Sequence, residues 1–184
     1  MTPLGLGWPN ILSAFRILLV PVVVVLLAAQ TDAASYAAAA VFLAAGMTDS
    51  LDGYLARRHG MSTATGQWLD PLSDKLLVAA AALTLTAIGR FPLWAAIIIV
   101  SREAVVSALR AVVGTRGASM PASDIAKVKT WVQLVAITMY ILPLSHDAGD
   151  AKLAALVVAV IVTVLSGLDY FIRPATRSRV RGKG

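Results

Sequence analysis

Cysteine is missing from all 184 residues. Its absence removes disulfide frameworks, Cys-ligated zinc and thiol catalysis from consideration. Charge is scarce as well: Asp, Glu, Lys and Arg together make up 14% of the chain, against 58% for apolar residues. A soluble domain is nearer about a quarter charged, so most of this surface is expected to face lipid. Soluble linkers, internal repeats and low-complexity tracts other than alanine-rich helix are equally lacking, which leaves a single domain over residues 1–184. A cleavable signal is not expected, because no A-x-A site follows the first apolar run ahead of a soluble body. The net charge of +6 does not imply nucleic acid as a partner. In a membrane chain, basic ends set topology and contact anionic lipid.

What the chain does have is six long apolar stretches. They run from about Ile11 to Ala29, Ala34 to Arg57, Trp68 to Ile88, Pro92 to Val113, Ser123 to Leu142 and Ala151 to Phe171. A helix of about 20 residues, rising 1.5 Å per residue, crosses a ~30 Å hydrocarbon core. Breakers separate the stretches: Thr31-Asp32, His59-Gly60, Gly89-Arg90-Phe91-Pro92, Gly114 to Pro121, and His146 to Asp150. The expected fold is therefore an all-α integral membrane protein with six transmembrane helices. Arg57, Arg58, Arg116, Lys127 and Lys129 flank connections on one side, and Arg173, Arg177, Arg179, Arg181 and Lys183 follow the last helix there. The opposite loops offer Arg90 and Lys152. This asymmetry predicts a multi-pass protein of the cell membrane with both termini cytoplasmic, in keeping with an even helix count.

Four of the ten acidic residues fall in one short stretch: Asp49, Asp52, Asp70 and Asp74. Asp49 and Asp52 are spaced i, i+3 near the cytoplasmic end of the second helix. They share a face with Gly53 and Ala56, and Arg57 lies at its edge. Asp70 and Asp74 are spaced i, i+4 at the start of the third helix. Pro71 between them implies either that the helix begins there or that it kinks. An ionised carboxylate in hydrocarbon costs about 2.5–3.5 kcal/mol, so four would cost roughly 10 kcal/mol if all lay deep. Any one of them could be a helix-end aspartate that snorkels or caps, but four clustered like charges need neutralising. Two divalent cations balance four carboxylates, and hard oxygen ligands suit magnesium or manganese. Gly53, Ala56 and Gly66 would let a ligand approach the backbone, and Arg57 suits a diphosphate.

In order, these residues read Asp49-Ser-Leu-Asp52-Gly53-Tyr-Leu-Ala56-Arg57, then eight residues, then Gly66-Gln-Trp-Leu-Asp70-Pro-Leu-Ser-Asp74. The segment resembles the CDP-alcohol phosphotransferase signature D-x2-D-G-x2-A-R-x8-G-x3-D-x3-D at every fixed position. Similarity to that family extends over most of the chain, including the Pro9-Asn10 start of helix one, Arg16 within it and the basic C-terminal end. The resemblance implies a membrane enzyme that moves a phosphatidyl group from CDP-diacylglycerol to an alcohol and releases CMP. It implies that Asp49 and Asp70 bridge two metal ions, that Asp52 binds one of them, and that Asp74 contacts the other and serves as general base. Gly53, Ala56, Arg57 and Gly66 would hold the cytidine diphosphate, together with Asn10 and Thr63. With no cysteine, and no serine with an evident base partner, direct transfer without a covalent enzyme intermediate is expected. A homodimer is what the family implies.

Within the family, three segments are most similar to the branch that uses sn-glycerol 3-phosphate and forms phosphatidylglycerophosphate. They start at Asp70 (Asp-Pro-Leu-Ser-Asp-Lys-Leu-Leu), run from Ser101 to Arg110, and run from Ile125 to Gln133. A phosphorylated acceptor needs fixed cations, and Arg110, Lys127, Lys129 and Arg173 lie near the cytoplasmic end. Lys127 and Lys129 are about 200° apart on a helix, so only one is expected to face the site. Arg102 and Glu103 either pair with each other or contact substrate. Inositol phosphate, or phosphatidylglycerol in making cardiolipin, are the alternative acceptors. A small cation transporter is the reading from another class, and it would place its acids centrally or in repeats. Intramembrane prenyltransferases also carry Asp-rich helices, without the Gly53, Ala56, Arg57 and Gly66 spacing.

Overall fold

The structure, a computed structural model, describes residues 8–59, 66–115, 118–119, 124–172 and 176–177. Side chains are described for residues 15–48, 75–114, 125, 128–145, 147–170 and 172. Six helices follow in order: α1 (Trp8–Ala28), α2 (Asp32–His59), α3 (Gly66–Ala87), α4 (Leu93–Thr115), α5 (Asp124–Ile141) and α6 (Gly149–Ile172). Each coincides with one of the six apolar stretches to within a few residues at either end. A 3-10 turn at His146–Ala148 precedes α6.

The local chemistry explains the ends. Thr31 accepts a hydrogen bond from the Ala34 backbone N–H at 3.2 Å, so its hydroxyl caps the start of α2. After α3, Gly89 adopts φ of +75°, and Arg90 N–H returns to the Leu85 carbonyl at 2.8 Å. That left-handed turn closes the helix, as a glycine permits. The Arg90 guanidinium then donates to Ser35 Oγ at 2.9 Å and to the Ile141 carbonyl at 2.8 Å. One side chain thus ties the start of α2 and the end of α5 to the α3–α4 turn. Pro71 is the sixth residue of α3, which begins at Gly66. The expectation that Pro71 falls in the first turn is therefore corrected: α3 starts two residues ahead of Trp68 and Pro71 lies in its second turn.

α1 packs most extensively on α3, α5 on α6, and α1 on α2, while α4 lies on α6. Leu27, Phe42, Leu77, Leu85, Ile99, Ile137, Ile141 and Leu156 are fully buried between them. Ala38, Ala81, Ala82, Ala95 and Ala96 are buried too, and small side chains of this kind bring helices close together. α2 and α5 meet at Gly46, where an added Cβ would fall 2.5 Å from Leu134 Cδ1.

The outside is apolar as well. Leu18, Val25, Tyr36, Leu83, Ile97, Val105, Trp131, Val135, Ile161 and Leu168 are all exposed, so every helix turns large apolar side chains outward. An exposed patch of that extent marks an interaction or lipid-facing surface. Among the described residues one segment, Gly149–Tyr170 in α6, is long and apolar enough by itself to cross a membrane. The apolar parts of α1, α2, α3 and α5 are shorter: Phe15–Ala28, Asp32–Thr48, Lys75–Ala87 and Val128–Ile141. Arg102, Glu103 and Arg110 interrupt the apolar run of α4.

A feature not expected from the sequence is a pair of two-residue strands. β1 (Ala118–Ser119), just after α4, runs antiparallel to β2 (Thr176–Arg177), just after α6. The register pairs Ala118 with Arg177 and Ser119 with Thr176. This places the α4–α5 connection and the chain that follows α6 at one end of the bundle.

Candidate active site

The signature residues lie on the last turns of α2 and the first turns of α3. The backbone is helical through 49–59 and 66–74. With that register, Asp49 and Asp52 belong to one face of α2, and Asp70 and Asp74 to one face of α3. The two helices are in contact and are joined through residues 60–65, so both acidic pairs lie at the same end. The side chains of Asp49, Asp52, Arg57, Asp70, Asp74, Asn10, Ala56 and Lys127 are outside the described residues, as is the surrounding space of Gly53 and Gly66. Thr63 and Arg173 lie wholly outside them. Among the described side chains, no three His, Asp or Glu groups gather to hold a metal. The residues whose chemistry would suit hard divalent cations are the four aspartates, oxygen donors carried at the end of α2 and the start of α3.

Next to these residues the side chains are described, and they form a polar network inside the bundle. Lys75, which follows Asp74, donates from Nζ to Ser107 Oγ on α4. Ser107 in turn donates to the carbonyl oxygen of Glu103, one turn back. The Glu103 carboxylate accepts from Lys129 on α5 and pairs with Arg102 Nη1 at 3.1 Å. Arg102 also donates to Ser166 on α6 and lies 5.8 Å from the centroid of the Tyr170 ring. At Gly167 an added Cβ would come 3.3 Å from Arg102 Cγ, so the missing side chain leaves the arginine its path. Arg110, two turns on, lies 5.3 Å from the same Tyr170 centroid. Both contacts are cation–π in geometry. The Lys75–Ser107 bond ties the start of α3 to the later half of α4. The aspartate segments and the strand pair thus share one end of the molecule.

These placements answer one question the sequence leaves open. Arg102 and Glu103 pair with each other, which was one of the two readings. Lys129 is buried against Glu103, while the side chain of Lys127 lies outside the described residues. Lys75, Ser107, Ser166 and Tyr170 were missed as participants. The available signals were the position of Lys75 directly after Asp74 and the i, i+4 spacing of Glu103 and Ser107.

Fold and motif together define a class: a small, all-helical transferase with an apolar exterior and an acidic pair on each of two adjoining helix ends. Comparison with known proteins gives the particular family. The family description "CDP-alcohol phosphatidyltransferase" matches residues 6–165. A protein of Mycobacterium tuberculosis named "Probable phosphatidylglycerophosphate synthase" is 40% identical over 167 residues, covering 89% of this chain and 79% of its own. The Bacillus subtilis "CDP-diacylglycerol--glycerol-3-phosphate 3-phosphatidyltransferase" is 37% identical over 178 residues, covering 89% and 92%. The Escherichia coli protein of the same name is 37% identical over 169 residues, covering 88% and 91%. The chain belongs to the CDP-alcohol phosphatidyltransferase family and is an enzyme of that class.

Proposed function

We propose that this protein transfers the phosphatidyl group of CDP-diacylglycerol to sn-glycerol 3-phosphate, giving phosphatidylglycerophosphate and CMP. The observation that carries this is similarity along nearly the whole chain to relatives named for that activity. The complete signature from Asp49 to Asp74 supports it. Asp49, Asp52, Asp70 and Asp74 would hold two divalent cations, magnesium or manganese, which when bound stabilise the attacking and leaving oxygens. Arg57, with Gly53, Ala56, Gly66, Asn10 and Thr63, holds the cytidine diphosphate. Asp74 accepts the proton of the acceptor hydroxyl. The new oxygen–phosphorus bond forms as the bond to the CMP oxygen breaks. Arg110, Arg173 and one of the pair Lys127 and Lys129 hold the phosphate of the acceptor.

The same reading takes all six helices as membrane spans of the cell membrane, with both termini and the active site cytoplasmic, in a homodimer. Outward apolar side chains on every helix support the embedding. The β1–β2 pairing supports placing the α4–α5 connection and the C-terminal end on one side. The test is purified protein with CDP-diacylglycerol and a panel of alcohols, read by CMP release. Glycerol 3-phosphate is the expected acceptor. Preference for inositol phosphate or phosphatidylglycerol would overturn the acceptor and leave the family chemistry in place.

A further inference from the structure

The polar network between α3, α4, α5 and α6 does more than the transfer reading asks of it. Its outer member is Lys75, half-buried and adjacent in sequence to Asp74. A lysine in an apolar setting ordinarily snorkels to water. This one is directed across to α4, where its ammonium donates to Ser107 Oγ. A hydroxyl has one proton, and that of Ser107 is committed to the Glu103 carbonyl, so Ser107 meets Lys75 as acceptor. Glu103 is itself held from α5 by Lys129 and beside it by Arg102, which reaches Ser166 on α6. Lys75 is therefore moored to an anchor that is braced by two further helices.

The mooring bears on the aspartates through the geometry of α3. Consecutive helical residues are about 100° apart and 1.5 Å along the axis, so any rotation of α3 that releases Lys75 carries Asp74 with it. Pro71 has no N–H to donate, and the segment bearing Asp70 is short of one internal backbone bond. An outside tie in the next turn compensates for that lost constraint. We propose that Lys75 is a positioning residue for phosphatidyl transfer: through Ser107 and the Glu103 ion pairs it fixes the α3 turn that carries Asp70 and Asp74. This rests on the assignment of those two aspartates to the active site.

The test uses the full-length protein in detergent with the variants Lys75→Met, Lys75→Arg and Ser107→Ala, and Asp74→Asn in parallel. The readouts are kcat, KM for each substrate, thermal melting, and Mn2+ binding by the protein without substrate. Displacement of reacting groups by about 1 Å costs up to about 100-fold in rate, so Lys75→Met should lower kcat by roughly 10- to 100-fold. Both KM values should change little, and Mn2+ binding should weaken. Lys75→Arg should recover most of the loss. Ser107→Ala should reproduce it, and the double variant should be no worse than the poorer single one, because both cut the same link. If Lys75→Met fails to fold, Ser107→Ala decides alone. Wild-type kcat and Mn2+ binding in Ser107→Ala, additive losses, or a rise confined to the acceptor KM would each overturn the proposal. Normal turnover by Asp74→Asn would overturn the site assignment instead.

Discussion

The Arg110 guanidinium rests over Tyr170 on α6, two turns along α4 from Arg102, which contacts the same ring. A cation–π contact is worth about 0.5–2 kcal/mol, which orients the side chain without neutralising its charge. That suits a group meant to receive a phosphate. Arg110→Ala should then raise the KM for glycerol 3-phosphate, while the KM for CDP-diacylglycerol changes little. A charge-assisted hydrogen bond contributes roughly 1.5–3 kcal/mol, so the expected weakening is about 10- to 150-fold. Arg110→Lys should restore only part, since an ammonium cannot reproduce a guanidinium fork. Unchanged steady-state kinetics in a well-folded Arg110→Ala protein would leave this residue a structural role, with no part in holding the acceptor. The sequence placed Arg110 near the right end of α4 but not against Tyr170. The two residues are far apart along the chain, and no local spacing encodes a contact between α4 and α6.

Among the helices, legibility followed from local physics. A run of about 20 apolar residues bounded by glycine, proline or a capping threonine marks a helix whatever it packs against. The Thr31 cap and the Gly89 turn both fall on breakers read from the sequence. The β1–β2 pair left no trace, because two-residue strands carry no period to detect and their partners lie on either side of α5 and α6. Of the Lys75 to Ser166 network only the Arg102–Glu103 pair was anticipated, because its other members come from different helices. The start of α3 ahead of Pro71 was open in the sequence, because proline is tolerated in a first turn and disfavoured only later. The seam between α2 and α5 makes a prediction on this scale. At Gly46 a Cβ would fall 2.5 Å from Cδ1 of Leu134, which is itself buried. Gly46→Ala should force Leu134 aside and cost about 1–3 kcal/mol, as overpacking does. Gly114→Ala meets nothing within 4 Å and should be neutral or slightly stabilising. Thermal unfolding in detergent separates the two. A Gly46→Ala protein as stable as the parent would mean that the seam yields.

For the whole molecule, the distribution of charge is the controlling fact. A chain with 14% charged residues places four of its ten acids on the adjoining ends of α2 and α3. Lys75 lies on α3 itself, and Lys129, Arg102 and Arg110 lie on α5 and α4. Lys129 and Arg102 both pair with Glu103. Bound divalent ions balance the four aspartates in the proposed function, and the consequence reaches past activity to stability. A ligand bound by the folded state alone stabilises it by about 2.7 kcal/mol at one hundred times its dissociation constant. On that reading, removing the ions leaves four like charges at one end of the bundle. Excess EDTA should therefore abolish CMP release and also lower the melting temperature. Magnesium or manganese should restore both together. Replacing Asp49 and Asp70 with asparagine should abolish activity yet blunt the EDTA effect on melting, because fewer carboxylates are left to repel. Full turnover in excess EDTA would remove the metal ions from the reaction. A melting temperature indifferent to chelator in the parent protein would mean that the four aspartates are neutralised from within the chain.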